Sequence, residues 1–242
     1  MYLEGCRPAR NEVWRSKLTQ CPPVRRRTNG GPISHARRTA CRLLVALGLP
    51  SILSASVGAQ ERVIVAFGDS LTAGLGVTAE DSYPARLGAR LRAEGYSYRV
   101  VNAGVSGDTT AGGLRRADWA LRLRPDVVIV ELGVNDALRG QDLSAVRGNL
   151  DQLVARFQSA GARVLLAGMR LPANYGDRYG AEFRQLYEEV ARMRSAALMP
   201  FFLEGVGGNP RLNQLDGIHP TAEGYRLIVD RLWPHLRPLL NR

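Results

Sequence analysis

From residue 60 onwards, short apolar runs alternate with amphipathic stretches, and this alternation constrains the fold more than any other feature. The apolar runs have the length of strands, and the stretches between them have apolar residues at helical spacing. The third and fourth runs are almost continuously apolar, which is typical of strands covered on both faces. The apolar runs are 63–67, 98–102, 126–132, 163–169 and 198–202, and the helical stretches are 83–94, 110–123, 143–160, 181–196 and 221–239.

The alternation predicts a single α/β domain, a doubly wound flavodoxin-like sandwich with a five-stranded parallel sheet and helices on both faces. In the flavodoxin-like strand order 2-1-3-4-5, the first strand lies between the second and the third. The loops that leave these three strands then meet at one crevice at their carboxyl ends. No repeat or second domain interrupts residues 60–242.

The composition of residues 1–59 differs from that of residues 60–242 and indicates a leader. The basic residues Arg37, Arg38 and Arg42 precede an apolar core at 43–53, and the small residues at 57–59 follow it. This order is typical of a secretory signal peptide, here with cleavage near Ala59 and export to the periplasm or the medium. The alternatives are an ordinary hydrophobic helix or a membrane anchor. Eleven apolar residues are too few to span a membrane stably, which takes about 20.

The formal charge of +11 is concentrated in this leader, which holds ten of the 33 Lys and Arg residues and two of the 22 Asp and Glu residues. Residues 60–242 therefore carry about +3, without the basic cluster that nucleic-acid binding needs. All three cysteines, Cys6, Cys21 and Cys41, also lie in the leader. We therefore expect a domain without disulfides, with no nucleic-acid partner, no cofactor and no metal.

Polar residues and glycines follow the first three predicted strands. The segments are Gly68-Asp69-Ser70-Leu71, the loop 102–108, and Gly133-Val134-Asn135-Asp136. Each segment alone has an ordinary explanation as a helix cap or a turn. Their predicted convergence at one crevice favours a functional site with Ser70 as a nucleophile, provided that a base lies nearby.

One histidine of the predicted domain lies in a loop. His35 belongs to the leader and His235 to the last helical stretch, whereas His219 stands in the segment LDGIHPTAEGY. Asp216 precedes His219 by three residues, so a turn at Gly217 lets its carboxylate accept the Nδ1–H while Nε2 faces a serine. The alternative is a plain turn in which the histidine only precedes a helix.

The segments together resemble the four blocks of the SGNH (GDSL) hydrolases, in the same order. They are Gly-Asp-Ser-Leu at 68–71, the glycine at 104, Gly-x-Asn-Asp at 133–136 and Asp-x-x-His at 216–219. The segments SGDTTAGGLRR, VELGVNDALRG and RLPANYGDRY are similar to the bacterial exported thioesterase/lysophospholipase/arylesterase group. The resemblance covers essentially all of residues 60–242.

The resemblance implies a serine-dependent hydrolase of carboxylic esters and thioesters that works through an acyl-enzyme intermediate. It implies Ser70 as the nucleophile, His219 as the base and Asp216 as the residue that orients the imidazole. It also implies an oxyanion hole formed by the backbone N–H groups of Ser70 and Gly104 and the side-chain amide of Asn135. The expected protein is a monomer acting on a small acyl ester or thioester, possible substrates including a lysophospholipid.

The segment after the fourth predicted strand is the expected site of substrate binding, with Leu171, Pro172 and Tyr175 lining an acyl site. The alternative there is a stiff surface loop. Two other functions stay open at this point, a carbohydrate acetylesterase of the same fold and a non-catalytic doubly wound binding module. The remaining acidic residues of the crevice are expected to be structural: Asp69, Glu131 and Asp136 as local scaffolding and Asp108 as a helix cap.

Overall fold

A computed structural model describes residues 61–242, so the predicted leader and signal peptide lie outside the described residues. Five strands form one sheet in the order β2-β1-β3-β4-β5, and every neighbouring pair is parallel, as predicted. The strands are β1 (Arg62–Gly68), β2 (Tyr98–Gly104), β3 (Val127–Glu131), β4 (Arg163–Ala167) and β5 (Ala197–Met199).

The helices form two packed groups, one of α2 and α7 and one of α3, α5 and α6. Every residue of β3 is buried, as expected for a central strand with helices on both faces. The helices are α1 (Ser70–Ala73), α2 (Tyr83–Ala93), α3 (Thr110–Leu121), α4 (Val134–Leu138), α5 (Leu143–Ser159), α6 (Asp177–Arg194) and α7 (Ala222–Leu236). Short 3-10 turns lie at Ala79–Asp81, Ala173–Tyr175 and Arg237–Leu239.

The register of the sheet brings the carboxyl ends of three strands together. Gly68, the last residue of β1, pairs with Gly104 of β2 on one side and with Glu131 of β3 on the other. All three strands end at these residues. The loops that leave them therefore begin at one level, at the centre of one edge of the sheet.

The start of α3 differs from the prediction in its capping residue. Thr109 caps the helix, since its Oγ1 accepts a hydrogen bond from the Gly112 N–H at 3.1 Å. Asp108, the expected cap, instead accepts a hydrogen bond from Arg116 Nε at 2.7 Å. The residue directly before the helix has the extended backbone that a cap requires, and the aspartate stands one position too early.

Boundaries of β5 and α6 are among those that differ from the prediction. β5 ends at Met199 because Pro200 follows, and proline lacks the N–H that a strand would donate. α6 begins at Asp177, four residues before the predicted start, with an acidic residue in the first turn where it interacts favourably with the helix dipole.

Candidate active site

Ser70 and His219 lie 149 residues apart in the sequence and are in hydrogen-bond contact in the fold. Ser70 Oγ lies 2.8 Å from His219 Nε2, and His219 Nδ1 lies 2.6 Å from Asp216 Oδ2. With its proton on Nδ1, the imidazole donates to the carboxylate and accepts from the serine hydroxyl. The three side chains selected from the sequence thus form one continuous chain of hydrogen bonds.

The carboxylate of Asp216 is held in its ionised form. Partial burial acts to raise its pKa, but the backbone N–H groups of Ile218 and His219, both 2.9 Å from Oδ1, and the His219 ring lower the pKa to about 2. Gly217 makes this arrangement possible, because its φ of 71° lies in the left-handed region. Asp216 therefore stays negative, facing the imidazole, throughout the neutral pH range.

The loop that carries this pair is closed at its base. Gln214 N–H donates to the His219 carbonyl at 2.7 Å, and Asn213 forms an antiparallel bridge with Pro220. The Gln214 side-chain amide donates to the carbonyl oxygen of Leu75 at 2.8 Å. The loop of His219 is thus attached to the segment that follows Ser70 and α1.

Ser70 occupies the first position of α1, directly after β1. Asp69 caps this helix, since its Oδ1 accepts a hydrogen bond from the Leu71 N–H at 3.0 Å. The tight exit from the strand requires glycine at position 68, where a Cβ would lie 2.0 Å from Thr72 Oγ1 and 2.6 Å from the Glu131 carbonyl oxygen. These contacts explain why the strand turns at once into the helix that carries the serine.

Asn135 is held beside this turn by Asp69. Its Nδ2 donates to Asp69 Oδ2 at 2.9 Å, which occupies one of the two amide hydrogens. No acceptor among residues 61–242 bonds the other. Gly133 starts the α4 turn with a φ of 118°, and a Cβ there would lie 2.5 Å from the Tyr187 hydroxyl. Only glycine therefore fits at the entrance to the helix that positions the amide.

The structure does not support Gly104 as a free oxyanion donor. Its N–H donates to Asn102 Oδ1 at 2.9 Å, and a Cβ at Gly104 would lie 2.1 Å from the Ala73 nitrogen. The glycine serves the close approach of β2 to α1. Three residues later, Gly107 has a φ of 76°, and nothing in the described part of the chain accepts a hydrogen bond from its N–H or from that of Ser70.

A pair of buried acids lies behind the serine. Asp69 and Glu131 are both fully buried, and Glu131 Oε2 accepts hydrogen bonds from Thr72 Oγ1 at 2.9 Å and the Asp69 N–H at 3.4 Å. Burial raises the pKa of Asp69 to about 6, and burial together with the charge of Asp69 raises the pKa of Glu131 well above its usual range. Burial therefore favours the protonated form of both carboxyl groups, and the charge of Asp69 favours it further at Glu131.

Arg116 of α3 is a structural residue of the site that sequence reasoning missed. Its guanidinium donates to Asp108 Oδ2 and to the carbonyl oxygens of Ala103 and Gly68 at 2.7–2.8 Å, and it stacks on the Phe67 ring at 3.8 Å. These contacts join the ends of β1 and β2 to α3. In the sequence this arginine looks like any polar residue of an amphipathic helix.

The contacts of Asp136 agree with its expected scaffolding role. The backbone N–H and Oγ1 of Thr110 donate to its two carboxylate oxygens at 2.9 and 2.7 Å. Asn149 in turn donates to Thr110 Oγ1 at 3.1 Å. This network joins the starts of α3 and α4 to α5, and so fixes the helix that contains Asn135.

An apolar cavity of about 440 Å³ lies beside the site. Of the three residues expected in an acyl site, Leu171 and Pro172 line this cavity and Tyr175 does not. The Tyr175 hydroxyl lies 3.5 Å from the Leu138 carbonyl oxygen. The cavity reaches the site at Val134 and Ile218, the neighbours of Asn135 and His219. The lining comprises Val134, Leu138, Met169, Arg170, Leu171, Pro172, Phe201, Leu203, Gly207, Gly208, Gly217 and Ile218.

Two further features of residues 61–242 bear on function. No group of three or more His, Cys, Asp or Glu side chains in this part of the chain is arranged to hold a metal ion. No helix described here combines the length and apolar character required to cross a membrane.

Known proteins resemble the chain in sequence and in fold. The GDSL-like lipase/acylhydrolase family model matches residues 66–227. Esterase TesA of Pseudomonas aeruginosa is 42% identical over 200 residues, covering 82% of this chain and 100% of that protein. Thioesterase 1/protease 1/lysophospholipase L1 of Escherichia coli (strain K12) is 38% identical over 191 residues, covering 78% and 90%. A crystal structure of TesA matches with a TM-score of 0.72 at 45% identity, over 74% of this chain and 100% of that one.

The family match covers more than half of the chain, and both relatives span most of it. The resemblance to the SGNH (GDSL) hydrolases is thereby confirmed, as is the parallel sheet of the predicted order. The chain therefore belongs to the GDSL-like lipase/acylhydrolase family and is an ester-hydrolysing enzyme.

Proposed function

We propose that the protein hydrolyses acyl esters and thioesters through an acyl-enzyme intermediate on Ser70. The observation that carries this proposal is the 2.8 Å contact between Ser70 Oγ and His219 Nε2, continued by the 2.6 Å contact between His219 Nδ1 and Asp216. An imidazole in this position accepts the hydroxyl proton, and the ionised Asp216 stabilises the resulting imidazolium. The roles of nucleophile, base and orienting acid follow from this geometry.

In the first half of the reaction, Ser70 Oγ attacks the carbonyl carbon of the substrate while its proton moves to His219 Nε2. The tetrahedral intermediate collapses when the bond to the alcohol or thiol breaks, and Nε2 returns the proton to this leaving group. In the second half, water loses a proton to Nε2 and attacks the acyl-enzyme. The carboxylic acid leaves and Ser70 regains its proton.

The oxyanion of each tetrahedral intermediate needs fixed donors. We assign this role to the backbone N–H groups of Ser70 and Gly107 and to the second amide hydrogen of Asn135. Each of these donors is without an acceptor in the described residues, whereas the N–H of Gly104 is already bonded to Asn102. The turn at Val105–Asp108, closed by a hydrogen bond of 3.0 Å, presents the Gly107 N–H outward.

The apolar cavity beside Ser70 is the proposed acyl site. Its volume of about 440 Å³ lies in the usual range of ligand pockets, and apolar side chains contribute most of its wall. The two curated relatives are named an esterase and a thioesterase 1/protease 1/lysophospholipase L1. We therefore propose acyl esters, acyl thioesters and lysophospholipids as substrates, acted on by a monomer.

We further propose that residues 60–242 form the catalytic domain and that residues 1–59 are a leader removed on export. The support is the order of basic residues, the apolar core at 43–53 and the small residues that end at Ala59. The absence of cysteine after residue 41 suits an extracytoplasmic enzyme that depends on its core, and not on disulfides, for stability.

The test is a kcat/KM series over acyl chain length, measured with p-nitrophenyl esters, acyl-coenzyme A thioesters and lysophosphatidylcholine. A fluorophosphonate should label the parent once, at Ser70, and label Ser70→Ala not at all. A higher kcat/KM for acetylated xylan than for the p-nitrophenyl esters, the thioesters and lysophosphatidylcholine would favour the carbohydrate acetylesterase instead. Persistent turnover by purified Ser70→Ala would contradict the proposed nucleophile.

A further inference from the structure

Exposed apolar side chains are concentrated around the proposed catalytic serine. Residues 61–242 contain six large hydrophobic side chains with high exposure, and four of them lie on the loops of the site. Leu215 is fully exposed, and the other three are 40–48% exposed. We call these four residues the apolar collar: Leu75, Val105, Leu215 and Ile218. The other two, Trp119 and Met193, lie on α3 and α6.

Hydrogen bonds connect the loops of the collar to their neighbours. The carbonyl oxygen of Leu75 accepts a hydrogen bond from the Gln214 side chain, the neighbour of Leu215, at 2.8 Å. On the other side, Val105 N–H donates to the Gly68 carbonyl at 3.0 Å, next to the turn that carries Ser70. The loops that carry Leu75, Val105 and Leu215 are thus hydrogen-bonded to one another or to the segment that leads into Ser70.

The collar is continuous with the acyl cavity. Ile218 is 40% exposed and also lines the cavity, so one side chain belongs to both surfaces. His219 and its contact to Ser70 follow directly in the chain. The exposed apolar surface therefore meets the cavity wall at Ile218, next to the histidine that contacts Ser70.

We propose that the apolar collar docks the enzyme on the surface of a lipid aggregate, from which a lysophospholipid enters the cavity with its acyl chain shielded from water. This inference rests on the proposed lysophospholipid hydrolysis. An acyl chain that crosses water between aggregate and enzyme loses its apolar contacts, and direct docking avoids this cost. Apolar side chains at the mouth of a site also gain from insertion into the lipid boundary, as in other interfacially bound proteins.

The shape of the collar favours a lipid surface over a protein partner. Leu215 is fully exposed and the other three side chains are 40–48% exposed, so the collar presents protruding apolar side chains to solvent. A protein interface of useful strength needs a well-packed, complementary centre. A fluid apolar boundary needs no such fit, because the hydrophobic effect is non-directional.

The kinetic test compares a soluble ester with an aggregated lipid. Leu215→Ser and the double variant Leu75→Ser/Leu215→Ser remove the collar, and Met193→Ser is the control for an exposed apolar residue elsewhere. With p-nitrophenyl butyrate, all variants should keep kcat/KM within about twofold of the parent. With lysophosphatidylcholine above its critical micelle concentration, the double variant should lose about tenfold in kcat/KM, while Met193→Ser should lose nothing. An equal loss on both substrates, or no loss on micelles, would overturn the proposal.

A binding test is independent of catalysis. Ser70→Ala should co-sediment with phosphatidylcholine vesicles, to the same extent at 0.1 and 0.5 M NaCl, and Leu75→Ser/Leu215→Ser in that background should bind at least fivefold less. In the Ser70→Ala background, Leu215→Trp should shift its fluorescence to shorter wavelength when vesicles are added. Equal binding with and without the collar would overturn docking.

Sedimentation velocity without lipid tests whether the collar instead binds a second copy of the chain. A concentration-dependent dimer that Leu215→Ser dissociates would overturn the proposal and assign the collar to a second copy of the chain. A parent enzyme that fails to hydrolyse p-nitrophenyl butyrate would contradict the proposed function alone, since the vesicle assay would still report on the collar.

Discussion

Asp69 Oδ2 accepts a hydrogen bond from Asn135 Nδ2 at 2.9 Å, so the residue before the serine holds the side chain proposed to stabilise the oxyanion. The same carboxylate caps α1 through Oδ1. One buried side chain therefore fixes the serine-bearing turn of β1 and the amide after β3 relative to each other. The geometry proposed for catalysis depends on this contact between two loops that are 66 residues apart.

Removal of the Asn135 amide should lower kcat much more than it raises KM, because an oxyanion donor acts mainly on the charged tetrahedral state. Loss of a comparable donor costs about 10²–10³ in kcat. Asn135→Ala should show a loss of this size and keep its melting temperature, and Asn135→Asp should be worse at neutral pH. The control is Asn241→Ala, because the Asn241 side chain lies at the other end of the sheet, where its Oδ1 accepts a hydrogen bond from Arg163. A folded Asn135→Ala enzyme with kcat within threefold of the parent would show that Asn135 is a turn residue and not an oxyanion donor.

A phosphonate adduct of Ser70 should show which glycine donates to the oxyanion. In a crystal structure of that adduct, we expect the phosphonyl oxygen to lie about 2.7–3.1 Å from the N–H nitrogens of Ser70 and Gly107 and from Asn135 Nδ2. The Gly104 N–H should remain bonded to Asn102. A phosphonyl oxygen on Gly104 N, with Asn102 displaced, would restore the original assignment of this donor.

Gly107→Ala provides the matching experiment in solution. Gly107 and Gly161 both have left-handed φ values, 76° and 87°, and an alanine Cβ at either position meets no atom closer than 3.7 Å. The backbone strain of an L-residue there, about 1–2 kcal/mol, should therefore lower the stability of both variants similarly. Only Gly107→Ala should also reduce kcat, measured on protein of verified fold. Equal kcat values for the two variants would argue against Gly107 as a donor.

Glu131 should make the protein less stable as pH rises. Its pKa is raised in the fold by burial and by Asp69, so its contribution to stability is complete below the unfolded pKa of about 4.5 and is lost as pH rises through the folded pKa. Glu131→Gln mimics the neutral acid, so its free energy of unfolding should fall less between pH 5 and pH 8. Urea denaturation at several pH values measures this difference.

The exposed Glu189, which pairs with Arg147 and has a lowered pKa, supplies the control for this measurement. Glu189→Gln should show no relative gain of stability at high pH. If Glu131→Gln and the parent had parallel stability profiles from pH 5 to pH 8, Glu131 would titrate normally in the fold and the buried acid pair would be misassigned.

Loss of His219 should nearly abolish turnover, since Ser70 then has no base to accept its proton. Asp216→Asn should also be severe, because an amide favours the wrong imidazole tautomer. His235→Ala, in α7, should leave kcat/KM unchanged. The measurement is steady-state turnover of p-nitrophenyl butyrate, and an inactive His235→Ala beside an active His219→Ala would show that the base is misassigned.

Export should remove the leader. Amino-terminal sequencing of the periplasmic or secreted protein should begin at Gln60 or within two residues of it. Because Cys6, Cys21 and Cys41 all lie in the leader, the mature protein should migrate identically on reducing and non-reducing gels. A cytoplasmic product that still contains Cys41 would contradict both expectations.

The sequence was sufficient for the sheet order and for the spatial contact of Ser70, His219 and Asp216 because these features have local signals. Apolar runs report burial directly, and Ser70 and His219 stand in short segments with recognisable neighbours. Glu131 carries no such signal, since a glutamate at the end of an apolar strand looks like an exposed terminal residue. Its burial depends on Thr72 and Asp69, which only the folded sheet brings to it.

The proposed second oxyanion donor shows the same limit at the level of the backbone. Gly104 and Gly107 are both glycines of one loop, and residue type alone does not distinguish them. The distinction depends on the Asn102 side chain, which occupies the N–H of Gly104, and on the turn that leaves the N–H of Gly107 exposed. Hydrogen-bond partners of this kind are not visible in spacing or periodicity.

The cavity wall comes largely from different parts of the chain than the reacting groups. Segments after β4 and β5, at 169–172 and 201–208, supply eight of its lining residues, whereas Ser70 and Asn135 stand on the loops after β1 and β3. The shape of the cavity and the geometry of bond cleavage therefore depend on largely different segments of the chain. What fits into the site and what happens there are set in separate places.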